Sequence, residues 1–136
     1  MWKKLSEVYI FAFVLNLIWE NAHSFLYVSY QGASITEAVL IRAATFDALF
    51  ITGLFILFSR AAFFKKRLWL SLVIGIIFAV TLEIFALQTG RWQYNSLMPI
   101  IPFLNVGLTP SIQLGLLGYL AIQIFKSKLH TDSKTV

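Results

Sequence analysis

The chain contains no cysteine, which excludes a disulfide framework, a thiol redox centre and thiol-based quinone or disulfide chemistry. Charge is scarce too: 12% of the residues are charged and 59% hydrophobic, where soluble domains carry about 25% and about 45–50%. A soluble fold of 136 residues has too little interior to hide so much apolar surface, and lipid removes the need. The mean hydropathy of +0.79 points the same way. Period-2 alternation is missing, so a membrane barrel is not expected. Internal repeats are missing, which leaves an inverted-repeat transporter unsupported. No HExxH, paired-histidine or GxSxG spacing occurs, and the second histidine, His130, falls in the tail. A metal site, a haem and a serine hydrolase are therefore not expected, nor is any other cofactor.

Four apolar segments are present, at about 5–30, 36–59, 68–88 and 103–125, followed by a polar tail over 126–136. Each reaches the ~20 residues that cross a hydrocarbon core. Only helices satisfy their own backbone in lipid without closing a barrel. The expected fold is all-α, a single-domain integral membrane four-helix bundle. The first segment follows Lys3-Lys4, is interrupted by Glu20 and His23 and lacks a small-residue cleavage site, so it reads as a retained span. The connection over 89–102, TGRWQYNSLMPIIP, holds two of the three prolines with Trp92 and Tyr94, and reads as an ordered interfacial loop.

Nine of the eleven basic residues (Lys3, Lys4, Arg60, Lys65, Lys66, Arg67, Lys126, Lys128 and Lys134) flank one set of helix ends. The positive-inside rule then predicts a multi-pass protein with both termini in the cytoplasm. The net charge of +5 is thereby explained by membrane flanks, and no nucleic acid partner is expected. Expected partners are membrane lipids and a second copy of the chain.

Polar residues gather toward the other leaflet. Asn16, Glu20 and His23 share a face of the first helix, Arg42 and Asp47 lie in the second, and Glu83 ends the third. Asn105, Thr109 and Gln113 form an i, i+4, i+8 stripe in the fourth, and Arg91, Trp92 and Tyr94 belong to the loop above. Ionisable groups at membrane depth cost about 2.5–3.5 kcal/mol each on insertion scales and normally face a bundle interior or wet cavity. A shared polar pocket is therefore expected, with at least one of its three carboxyls protonated at neutral pH. The candidate catalytic residues are Glu20, His23, Asp47 and Glu83. The candidate ligand-binding residues are Asn16, Arg42, Arg91, Trp92, Tyr94, Asn105 and Gln113. Each has a plainer role: ion pairs from Arg42 or Arg91 that lock the bundle, interfacial anchoring by Trp92 and Tyr94, and interhelical hydrogen bonds from Asn16, Asn105 and Gln113. Gly75 and Ala79 precede Glu83 on one small-residue stripe, and Gly107, Ser111 and Gly115 form another, as closely packed membrane helices require.

The stretches NLIWENAHSFLY (16–27) and EIFALQTGRWQYNSLMPIIPFLNVGLTPSIQLGLLGYL (83–120) resemble a family of short bacterial multi-pass membrane proteins, a likeness that implies a bacterial inner membrane and no activity. Locally, Glu83, Gly90, Trp92, Tyr94 and Pro99/Pro102 are similar to the membrane lycopene cyclase and carotenoid hydratase domains, which implies an isoprenoid substrate. Where the cyclases carry a Pro-x-Glu-Glu element, this chain reads Leu108-Thr109-Pro110-Ser111.

Three functions stay open at this point. One is an acid–base enzyme on a lipid or isoprenoid, with Glu20 or Glu83 as general acid and Asp47 or His23 as base. Another is a non-enzymatic protein that binds a lipid or small ligand, or docks a partner. The third is a proton-coupled transporter assembled as an oligomer.

Overall fold

A computed structural model describes residues 2–132, with side chains through residue 126. It is mostly helical. Helix α1 (Trp2–His23) runs through a 3-10 turn (Ser24–Leu26) into strand β1 (Tyr27–Tyr30). Then come α2 (Glu37–Arg60), the single turn α3 (Ala62–Lys65) and α4 (Trp69–Gln88). Strands β2 (Trp92–Tyr94), β3 (Ile100–Ile101) and β4 (Val106–Gly107) lead into α5 (Leu108–Asp132). Helices α2, α4 and the Leu108–Lys126 part of α5 are each long and apolar enough to cross a membrane. Helix α1 has 22 residues, with Glu7, Asn16, Glu20 and Asn21 among them.

Three expected boundaries are corrected. The first helix stops at His23 rather than Tyr30, because Tyr27-Val28-Ser29-Tyr30 leaves the helix and pairs antiparallel with Trp92–Tyr94. That ladder supplies the hydrogen bonds that helical backbone would have made for itself. A two-residue turn with Gln31 (φ 50°) and Gly32 (φ 75°) closes β1 back on Ala33, the left-handed pair that tight hairpin turns use. The last helix starts at Leu108 rather than 103, since residues 100–107 form the small β3–β4 hairpin, with Phe103 and Asn105 at positive φ in its turn. The tail expected from 126 is helical as far as Asp132, lysine being a good helix former; residues 133–136 and the side chain of His130 lie outside the described residues.

Helix α1 packs on α2, and α4 on α5, with α1 and α2 both also against α5. Successive long helices alternate in direction. The starts of α1 and α4 therefore share an end with the finishes of α2 and α5, where the Lys126 ammonium donates to the Lys65 carbonyl at 2.7 Å. Above this basic end lies an apolar layer of Val8, Leu54, Phe55, Phe58, Ile122 and Phe125. A second layer, of Ala12, Ala48, Ile51, Ala79, Leu114 and Leu117, follows. Gly75 and Gly115 set the α4–α5 distance: a Cβ at Gly75 would lie 2.6 Å from the Gly115 Cα. The polar side chains occupy the opposite end, beneath the two β-ladders.

Candidate functional site

The site is built on helix faces. Asn16, Glu20 and His23 repeat at i, i+4 and i+7, and all three are buried on the inner face of α1. Asp47 of α2, Glu83 of α4 and Gln113 of α5 meet them from three further helices, each also buried. The centre is the Gln113 amide. Its Nε2 lies 2.8 Å from Glu20 Oε1, 3.0 Å from Asp47 Oδ2 and 3.0 Å from Asn16 Oδ1. An amide nitrogen carries two protons, so three acceptors compete for two donors. Asn16 in turn donates to the Ala12 carbonyl at 2.8 Å, which fixes its oxygen toward Gln113.

Above this node a cavity of about 430 Å³ opens between the helix ends. Glu20, His23, Asp47 and Glu83 all line it, as do Arg42, Arg91, Trp92 and Gln113. His23 Nε2 lies 3.4 Å from Glu20 Oε2, outside hydrogen-bond geometry, and neither ring nitrogen has a hydrogen-bond partner among the described residues. No ion pair joins Arg42 or Arg91 to an acidic side chain among the described residues, so the locking pairs considered above are not made.

Glu83 is engaged from the loop instead. The Tyr94 hydroxyl donates a short hydrogen bond to Glu83 Oε2 and accepts one from the Gly107 N–H at 2.9 Å. Local sequence explains how the loop reaches this point. Gly90 (φ 67°) caps α4, with the Arg91 N–H bonded to the Ala86 carbonyl and the Gly90 N–H to Leu87, the Schellman pattern that glycine permits. The chain turns back at once, and Trp92 and Tyr94 become strand residues paired with Tyr30 and Tyr27. Their rings pack into one wall: Tyr27 lies 5.5 Å from His23, 4.9 Å from Trp92 and 5.4 Å from Tyr94, and Tyr30 lies 4.7 Å from Trp92. Burial, then the charge of Glu83, holds the Tyr27 hydroxyl well above its ordinary ionisation range. The same two causes, in the same order, push Tyr94 up. Both phenols therefore stay protonated donors at neutral pH.

Of the eleven residues singled out from sequence, eight line the cavity. Asn16 and Tyr94 stand one contact behind it, through Gln113 and Glu83 respectively. Asn105 is a correction: it sits exposed in the β3–β4 turn, because the helix that would have aligned it with Gln113 begins three residues later. Tyr27 and Tyr30 were missed, although both line the cavity. Their signal was the aromatic and β-branched run YVSY before Gln-Gly, a strand-and-turn pattern hidden at the end of an apolar helix. No family model, curated protein or solved structure matches the chain.

Proposed function

We propose that this is a four-pass membrane protein with both ends cytoplasmic, and that its outward-facing cavity performs acid–base chemistry on a lipid or isoprenoid substrate. The four-pass reading adds α1 to the three apolar helices. Its 22 residues suffice to cross a hydrocarbon core, and Ile10, Val14 and Ile18 present an apolar outer face. The basic end faces the cytoplasm by the positive-inside rule.

One observation carries the catalytic reading: carboxyl groups from three helices line a single cavity in two different hydrogen-bonding environments. Glu20 and Asp47 crowd two acceptor oxygens onto one amide, a cluster that holds together when one of the pair carries a proton. That pair is the general acid. Glu83 receives its proton contact from Tyr94 and keeps its other oxygen free to accept, so it is the base. This changes the sequence assignment, in which Asp47 or His23 was the base. Environments that separate the roles of like groups are the usual sign of paired acid–base catalysis. The cavity is of ligand size, as sites range over about 300–1,000 Å³. The apolar layers beneath it favour a one-sided site over a proton conduit.

The test is to replace Glu20, Asp47 and Glu83 singly by their amides and to measure folded yield and the membrane lipid profile together. Normal yield with one altered lipid species is expected. Reduced yield with an unchanged profile would make the cluster a structural lock and remove the enzyme.

A further inference from the structure

The rim of the cavity differs from its interior. Three acids lie within it, while Arg42 and Arg91 stand exposed at its edge, without a carboxylate partner among the described residues. Arg91 is held over the Phe85 ring, 5.2 Å from its centroid, which orients it without neutralising it. Two unneutralised guanidiniums match a phosphate monoester, which carries about −1.5 to −2 at neutral pH, better than a carboxylate. The acids inside repel such an anion from going deeper.

One side wall of the cavity is thinly packed, with Phe46 of α2 stacked on Phe78 of α4 across it at 6.2 Å. Helices α2 and α4 both line it, yet they form no packed face comparable with the α1–α2 or α4–α5 faces among the described residues. Phe46 of α2 and Phe85 of α4 line the cavity while each stays about half exposed on the outside of the bundle. Below them the seam is shut by the Phe50 and Phe78 rings, stacked at 4.1 Å. The gap thus lies between the arginine rim and this ring pair, at the depth of Asp47 and Glu83.

Resting on the functional reading above, we infer that the cavity takes a long-chain phosphate monoester from the bilayer through the α2–α4 gap, with its phosphate on Arg42 and Arg91. Asp47 is five residues below Arg42, about 7–8 Å along the helix, so the carbons nearest the head face the acids. The rest of the chain leaves past Phe46 and Phe85 into lipid. The buried His23 ring, without a hydrogen-bond partner among the described residues, also lines the cavity from α1 and supplies a donor or acceptor toward the head.

The probe is dodecyl phosphate, titrated onto the purified protein in phosphatidylcholine nanodiscs, beside dodecanol and inorganic phosphate. Dodecyl phosphate is expected to bind, with Arg42→Gln and Arg91→Gln each weakening it about tenfold or more. Both arginines are exposed, so the variants fold, which a thermal melt verifies. The chain has no cysteine, so Ala43→Cys accepts a single maleimide at the gap. That label is expected to abolish binding, and the same label on Gly53→Cys, on an open face of α2, to leave it intact. Displacement by inorganic phosphate at equal concentration, equal binding of dodecanol, or indifference to the arginines or to the gap label would each overturn the inference. Binding is read without turnover. The clamp can therefore fail while the amide variants still alter membrane lipids, and it can hold when they do not.

Discussion

Replacing Gln113 by leucine removes the one amide that reaches Asn16, Glu20 and Asp47 at once, with little change of volume. Two of the three contacts can be made at a time, at least one of them to a carboxyl group. Neutral interhelical hydrogen bonds in membranes average about 0.6 kcal/mol, and bonds to charged groups about 1.5–3 kcal/mol. A loss of about 2–4 kcal/mol is expected, since the acceptors left without this donor are buried. Against a typical total of about 5–15 kcal/mol this is readily measured. The assay is reversible denaturant unfolding in detergent micelles, with far-ultraviolet circular dichroism as readout. A second variant sharpens the result. Adding Asp47→Asn to Gln113→Leu restores an N–H donor beside Glu20 and should recover part of the loss, a non-additivity that only contacting residues show. Unfolding of Gln113→Leu within about 0.5 kcal/mol of the parent, the scatter usual for surface changes, would refute the central node.

Gly75→Ala drives a methyl into the Gly115 backbone and should destabilise by about 1–3 kcal/mol. Gly53→Ala meets nothing within 4 Å and should be neutral or up to about 1 kcal/mol stabilising; equal thermal shifts for the two would contradict the α4–α5 contact. Of five tyrosines, Tyr27 and Tyr94 should fail to ionise in the ordinary range. Their folded values lie above the unfolded one, so their contribution to stability is complete below about pH 10 and is lost as pH rises further. In a tyrosinate absorbance titration of the folded protein, Tyr27→Phe and Tyr94→Phe should each leave the absorbance gained through the ordinary range unchanged.

The helix interiors were legible because lipid-facing and core-facing positions are both apolar, and length alone then marks a span. The starts of α2 and α4 were found to within a residue for that reason. The depth of Glu20, Asp47, Glu83 and Gln113 was legible too, since helical rise converts residue number directly to height. What escaped was the loop end. Tyr27–Tyr30 pairs with residues more than sixty positions away, and no local period reports such a partner. Asn105 kept a helical spacing from Gln113 although Pro102 and two positive-φ residues had already diverted the chain into a hairpin. Tyr94 was legible as an interfacial aromatic, but its hydroxyl contact with Glu83 depends on the glycine turn at Gly90 and on the Gly107 amide, neither of which sets a pattern.

Solid-state NMR in lipid bilayers reads the cluster most directly, through dipolar dephasing of the Gln113 side-chain nitrogen by the labelled carboxyl carbons of Glu20 and Asp47. Nitrogen–oxygen distances of 2.8 and 3.0 Å require strong dephasing from both carbons in the same sample. Dephasing from neither, or from only one, would mean that the helices do not bring their acids to one amide, and the proposed general-acid pair would have no structural basis.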